Sequence, residues 1–241
     1  MVGLDLGRNL GRYHKDRRFS RDASSHASEI RQISASIVAS TCMKYLMDVT
    51  IALIGLLVLS PMIIMLMGSL LILQGRPIFI AHRRIGKNGV MFPCLKFRTM
   101  VRNADEVLSR HLNANPSFRE EWNTTRKLRD DPRITPFGAL LRKSSIDELP
   151  QLINIIRGEM SLVGPRPIVA GEAELYGIHY SDYIRVRPGL TGLWQVSGRS
   201  DMSYSERVQL DARYVAEQSL VGDIAIMLKT IPAVLSSRGS Y

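Results

Sequence analysis

From Val49 to Leu73 the chain carries no charged residue: VTIALIGLLVLSPMIIMLMGSLLIL. Backbone amides inside a bilayer must satisfy one another within the segment, so an apolar run of this kind is expected to be helical. Taken as one straight helix, these 25 residues reach about 37 Å, more than the ~30 Å of a hydrocarbon core. Length alone predicts a spanning helix, and two features oppose it. Pro61 lies near the middle, after Ser60, and a proline there removes a backbone donor and clashes with the preceding turn. The Ser60 hydroxyl can satisfy a carbonyl freed by the break. Basic residues also stand on both flanks, Arg31 and Lys44 before the run and Arg76, Arg83 and Arg84 after it. Such residues mark the cytoplasmic side of a membrane segment. Two topologies follow: a kinked transmembrane helix, or a re-entrant hairpin over residues 44–75, broken at Ser60-Pro61, that dips into the bilayer and returns.

No secretory signal precedes the run, which starts too far into the chain and has no small-residue cleavage site behind it. Residues 1–43 lead into it; the first thirty are polar, crowd Arg8, Arg12, Lys15, Arg17, Arg18 and Arg21 together, and predict a partly disordered basic tail drawn to anionic lipid. The formal net charge of the 241-residue chain is +10. That excess suits nucleic acid, anionic lipid or phosphorylated substrates without choosing among them. Cys42 and Cys94 have no ligand-like spacing, which argues against a disulfide scaffold or structural zinc. The five histidines are scattered.

Residues 76–241 read as a second, cytoplasmic body of α+β character. After Pro93 the segment VMFPCLKFRTM alternates, Leu95, Phe97 and Thr99 on one side, Lys96, Arg98 and Met100 on the other, a strand period. Helices are expected over 103–123, 147–157, 205–218 and 223–235. The last is nearly all apolar but too short to span, and suits the core or the headgroup layer.

Chemistry concentrates in residues 138–167, GALLRKSSIDELPQLINIIRGEMSLVGPRP. Asp147 and Glu148 are adjacent carboxylates in an expected first helical turn, with Pro150 close behind. Ser145-x-x-Glu148 matches a capping box, so a purely structural role competes with catalysis. The surrounding cations, Arg142, Lys143, Arg166, Lys96 and Arg98, favour an ionised carboxylate able to hold a metal or attack phosphorus. In Gly164-Pro165-Arg166-Pro167 the two prolines stiffen the chain about one guanidinium, suited to bidentate grip on phosphate. In residues 184–199, Pro188-Gly189 suits a type II turn, Trp194 suits a base or the membrane interface, and Arg199 follows a glycine. No Walker loop, dinucleotide fingerprint or nucleophile elbow is present.

The ordered series of an apolar segment with Ser60-Pro61, HRRIGKNGVMFPCLKFRTM, DPRIT, LRKSSIDELPQLINIIRGEMSLVGPRP and RPGLTGLWQVSGR resembles the bacterial sugar transferase family, the monotopic polyprenol-phosphate hexose-1-phosphate transferases. The resemblance covers roughly residues 44–241. Within the family, the short form and the RGSY ending are most similar to enzymes that initiate exopolysaccharide repeat units with galactose phosphate. The resemblance implies the re-entrant hairpin, a mainly helical α+β domain with amphipathic helices and a small β-hairpin, and a place on the cytoplasmic face of a bacterial inner membrane. It implies Asp147 and Glu148 as catalytic dyad and magnesium ligands, and Lys96, Arg98, Arg142, Arg166 and Arg199 as donor-binding residues, with Asp211 matched only loosely to a late acidic position. The implied partners are a UDP-sugar, undecaprenyl phosphate and inner-membrane lipid, with a second copy of the chain or polysaccharide assembly enzymes as further candidates. Glucose in place of galactose and a non-catalytic membrane scaffold remain as rival readings. A tethered nucleic-acid binder lacks any recognised motif.

Overall fold

In the computed structural model, residues 7–125, 128–198 and 202–235 are described. The chain divides into two compact units, Met1–Met47 and Asp48–Tyr241. In the first unit the backbone is helical from Gly7, where composition predicts a partly disordered tail. From residue 7 to 47 there is no proline, and glycine occurs only at positions 7 and 11, so nothing intrinsic interrupts a helix.

Helix α1 (Gly7–Gln74) runs unbroken across Pro61. The Ser60 hydroxyl donates to the Leu57 carbonyl at 2.8 Å, the compensation expected beside a proline. Over Val38–Gln74 this helix is long and apolar enough to cross a membrane. Within the second unit one stripe of it, through Ala52, Leu66 and Leu70, is buried, while Leu57, Val58, Ile64, Met65 and Ile72 stay exposed.

The second unit is mainly helical, with two small sheets. Strands β1 (Phe79–Ile85) and β2 (Met91–Phe97) form an antiparallel hairpin. Helices α2 (Ala104–Ala114) and α3 (Pro116–Thr125) follow, the single expected helix being divided at Pro116. Then come α4 (Pro136–Lys143), a 3-10 turn at Ile146–Glu148, α5 (Gln151–Ile156) and strand β3 (Ser161–Val163). Two short helices, α6 (Ala173–Tyr176) and α7 (Tyr180–Tyr183), lead to β4 (Gly189–Thr191), which pairs in parallel with β3. Helices α8 (Leu193–Ser197), α9 (Tyr204–Glu217) and α10 (Leu220–Leu235) complete the order.

The central core joins Ala52 of α1, Phe92 and Cys94 of β2, Leu152 and Ile155 of α5, Leu162 and Val163 of β3, Tyr214 of α9 and Ile226 of α10. A second cluster packs Leu66 and Leu70 against Phe97 and Leu141. Asp48 enters the first region as a buried carboxylate, accepting from the Ser161 hydroxyl at 2.7 Å and the Leu162 N–H at 3.2 Å.

Several local expectations change. Gly189 has no positive φ, so Pro188-Gly189 is not a type II turn. Gly189 instead opens β4, where a Cβ would lie 2.1 Å from the Gly164 nitrogen. The strand carrying Lys96 stops at Phe97, so Arg98 does not share a strand face with it.

Candidate active site

The site begins with a docking contact. Asn154, fully buried on α5, uses its side-chain amide as a strand would: it accepts from Leu95 N–H at 3.0 Å and donates to the Pro93 carbonyl at 2.8 Å. This fixes α5, and the turn before it, against β2 beside Lys96. Lys96 Nζ then lies 2.6 Å from Glu148 Oε1 and 3.9 Å from Asp147 Oδ2.

The capping-box reading of Glu148 is not realised. Ser145 stands in the left-handed region at φ 56°, and its side chain caps nothing; the dyad occupies the 3-10 turn ahead of α5. A non-glycine residue in that conformation stores local strain, which recurs at functional sites. The box geometry is found elsewhere, at Ser203 and Glu206 on α9.

The two carboxylates are driven apart electrostatically. Burial pushes Glu148 up, but Lys96 and Arg166, the Lys96 hydrogen bond and Arg84 outweigh it and hold Glu148 below the usual glutamate range. Asp147 moves the other way. Burial raises it, Glu148 adds repulsion, and the pull of Lys96 and Arg142 does not compensate. Neighbouring acids separated in this way are suited to different roles in one reaction.

Glu148 opens onto a cleft whose walls include Lys96, Arg84, Arg166, Gln151 and Gln195. Arg166 is presented by the 164–167 loop, held by Gly164 N–H to Thr191 O at 2.9 Å and Gly189 N–H to Pro165 O at 2.8 Å. Its guanidinium lies 5.9 Å from the Trp194 ring, which Arg207 also approaches at 5.0 Å. Trp194 is buried, so it supports cations rather than a base or an interface. Arg142 stands on the Asp147 side, its Nε donating to Thr99 Oγ1 at 2.8 Å.

Of the sequence candidates, Lys96, Asp147, Glu148, Arg142 and Arg166 thus gather in one region. Arg98 goes elsewhere: it is buried and donates to the carbonyls of Gln74 and Gly75, capping the end of α1. Cations are favoured at a helix C-terminus, and these carbonyls have no helical partner. Arg199 lies outside the described residues. Arg84 was not singled out for the site. It lines the cleft, donates to the Pro167 carbonyl at 3.3 Å and pairs with Glu172 at 3.7 Å. The pairing of His82 with Cys94 and Ile80 with Lys96 puts Arg84 on their face, a placement that the cross-strand register sets and that the run of adjacent basic residues does not signal.

Asp147 and Glu148 are the carboxylates available to a cation. Among the described residues no group of three or more acidic, histidine or cysteine side chains converges. Two adjacent carboxylates beside a cationic cleft are a donor set that magnesium could use, since it keeps water and substrate oxygens in its shell.

The chain is also similar in sequence to known proteins. The bacterial sugar transferase family matches residues 39–237. Exopolysaccharide production protein ExoY of Sinorhizobium fredii is 58% identical over 194 residues, 80% of this chain and 86% of that protein. The undecaprenyl-phosphate galactose phosphotransferase of Salmonella typhimurium is 43% identical over 236 residues, 97% of this chain but only 49% of its own length. The UDP-glucose:undecaprenyl-phosphate glucose-1-phosphate transferase of Caulobacter vibrioides is 32% identical over 212 residues, 85% of this chain and 74% of that protein.

Proposed function

The chain belongs to the bacterial sugar transferase family, and on that premise we propose that it transfers hexose 1-phosphate from a UDP-sugar to undecaprenyl phosphate. UMP is the leaving product, and the step initiates exopolysaccharide synthesis at the cytoplasmic face of the inner membrane. The observation that carries this reading is the pairing of two unlike carboxylates with Lys96, Arg84 and Arg166 around one cleft. Phosphoryl transfer asks for alignment and charge neutralisation, and this cleft offers both.

The proposed reaction has two displacements. Asp147 attacks the sugar-bearing phosphorus, forming an Asp–O–P bond as the diphosphate bridge breaks and UMP leaves. An oxygen of undecaprenyl phosphate then attacks the same phosphorus, and the aspartyl bond breaks to return Asp147 and release the lipid-linked diphosphate sugar. Lys96, Arg84 and Arg166 neutralise the donor phosphates. Glu148, held ionised, stands beside the nucleophile to take a proton or share the cation. Magnesium, held by Asp147 and Glu148, would supply further neutralisation of the diphosphate.

The re-entrant topology belongs to the same proposal. Asp48, at the entry of the apolar run, is bonded to β3, and Leu66 and Leu70, near its exit, pack on Phe97 and Leu141. A charged domain that holds both ends of an apolar segment favours both ends lying on one side of the bilayer. The substrates favour this too, since one is confined to lipid and the other to water.

Galactose is the first choice of sugar because relatives with galactose in their names match at 43% and 46% identity. Glucose is the second reading, carried by the 32% identical Caulobacter relative. Incubating the purified chain with a panel of UDP-sugars and undecaprenyl phosphate tests both. Asp147→Asn should abolish UMP release and trap no phosphosugar on the protein; native turnover in that variant removes Asp147 as nucleophile.

A further inference from the structure

Strand β2 ends at Phe97, and the next residue is a cation that the two displacements do not use. Arg98 is 5% exposed. Its backbone N–H donates to the Ile78 carbonyl at 2.8 Å. Its Nη2 donates to the Gln74 carbonyl and, at 3.0 Å, to the Gly75 carbonyl. Nε and Nη1 are sealed from solvent without a hydrogen-bond partner among the described residues. No carboxylate of those residues pairs with it, and the charge that bears on it is a second cation, Arg102.

A guanidinium buried without a counter-charge is costly, and its unpartnered N–H groups add to the cost. What it holds in return is the end of the apolar segment. Helix α1 closes at Gly75, in the left-handed region at φ 67°, whose N–H bonds the Leu71 carbonyl at 3.0 Å. The last carbonyls of a helix carry roughly half a negative charge, and at the edge of hydrocarbon little water is present to solvate them. A buried guanidinium answers both needs. Arg102 approaches the same turn, since a Cβ at Gly75 would lie 2.9 Å from its Nη2.

The same short stretch holds the site. Lys96 bonds Glu148 at 2.6 Å, Phe97 packs with Leu66 and Leu70 of α1, and Thr99 Oγ1 accepts from Arg142 Nε at 2.8 Å. Residues 96–99 therefore tie the dyad and the apolar segment to one piece of backbone. We infer that Arg98 is a positioning residue for the lipid substrate, clamping the end of α1 so that the dyad stands at the depth where polyprenyl phosphate presents its head. The inference rests on the transferase function proposed above. Sealed from solvent, Arg98 touches neither substrate and acts through the end of α1. With two successive displacements, donor kcat/KM reports the first and acceptor kcat/KM the second. A residue that sets depth in the bilayer must act on the second alone, because the UDP-sugar arrives from water at whatever depth the domain rides.

The test uses the full chain in lipid nanodiscs that contain undecaprenyl phosphate, with UMP release from UDP-galactose as readout and both substrates varied. Arg98→Met keeps an apolar stem and removes the cation. Small misplacements of reacting groups cost rate steeply, so acceptor kcat/KM should fall about tenfold or more. Donor kcat/KM should stay within about twofold of native. Arg98→Lys should fall between the native chain and Arg98→Met, because an ammonium still suits a helix end but holds its water more tightly than a guanidinium. Equal losses in both constants would mark a merely structural residue, and a loss confined to the donor would return Arg98 to the donor site. Either result overturns the inference, as does an unchanged acceptor constant. Should Arg98→Met fail to fold, Arg98→Lys decides alone: its acceptor kcat/KM should drop several-fold with donor kcat/KM unchanged, and any other split sinks the role. A native chain that releases UMP from no UDP-sugar would overturn the transferase reading and this inference with it, whereas an active chain with a shared or donor-side loss overturns the inference alone.

Discussion

Lys96 Nζ lies 2.6 Å from Glu148 Oε1, joining the second strand of the hairpin to the turn that carries the dyad. Both side chains are about one-fifth exposed, so the pair is partly shielded from water and worth more than a surface ion pair. Lys96→Met removes the strongest attraction on each carboxylate. Both acids should then titrate at higher pH than in the native enzyme. Glu148 is ionised above its depressed value and loses its charge as pH falls through it, so the acid limb of kcat/KM should move upward in the variant. If Lys96 neutralises donor phosphate as proposed, its removal should also lower kcat/KM by roughly a hundredfold or more at neutral pH. A pH–rate profile of the two proteins checks both outcomes; coincident acid limbs would contradict the electrostatic account.

Asp48 and Ser161 predict a stability effect. Asp48 is buried, immediately precedes the apolar run and accepts two hydrogen bonds from β3. Asp48→Ala strands the buried Leu162 N–H, while the Ser161 hydroxyl keeps its second partner, the Val163 carbonyl at 2.9 Å. The cost should be about 2–4 kcal/mol, the range for losing a buried charged acceptor and leaving a donor unsatisfied. Ser161→Ala should cost less, because it leaves the Leu162 bond in place. Denaturant melts in a fixed detergent rank the two variants.

How far these residues could be read without coordinates depended on the range of the forces involved. The strand at Lys96 and the apolar helix announced themselves through local periodicity, and the helix near 205–218 was found to within a residue at each end. Arg98 was misplaced because its partner is the end of a helix 24 residues earlier, a contact that no local pattern encodes. Pro188-Gly189 looked like a turn because the dipeptide alone favours one. Its glycine is required instead by close passage of the Gly164 backbone, a consequence of pairing β4 with β3. Glu148 matched a capping box in spacing, yet Lys96 competes for the same carboxylate with a full charge. Asp211 had no local meaning until α9 was packed behind the loop that presents Arg166.

Asp211 also predicts how stability varies with pH. Its folded-state value, near 7, is raised from an ordinary 3.8 by burial. The unfolded chain therefore gives up this proton at lower pH than the folded one. Stability from the protonated form is complete below about pH 4 and is lost as pH rises through about 7. Asparagine does not titrate, so the melting temperature of Asp211→Asn minus that of the native chain should grow between about pH 4 and 7 and level off above. A flat difference would mean that Asp211 is not buried as a titrating carboxyl.

The apolar segment offers the last prediction, and it turns on where its two ends lie. Leu46 is exposed before the run, Arg76 follows it, and Leu57 and Val58 are exposed near its middle. If the segment dips and returns, cysteines at 46 and 76 share one side of the membrane, and one at 57 reaches neither aqueous phase. In a Cys42→Ser background, Leu46→Cys and Arg76→Cys should both resist a membrane-impermeant maleimide applied to spheroplasts and both react in inverted vesicles. Leu57→Cys should stay unlabelled in each preparation and react only after detergent. A spanning helix would expose positions 46 and 76 on opposite sides. It would also have to pull Asp48 from Ser161, or Leu70 from Phe97, because a charged domain cannot follow both ends across hydrocarbon. Labelling on opposite sides would therefore refute the re-entrant topology and the packing of α1 together.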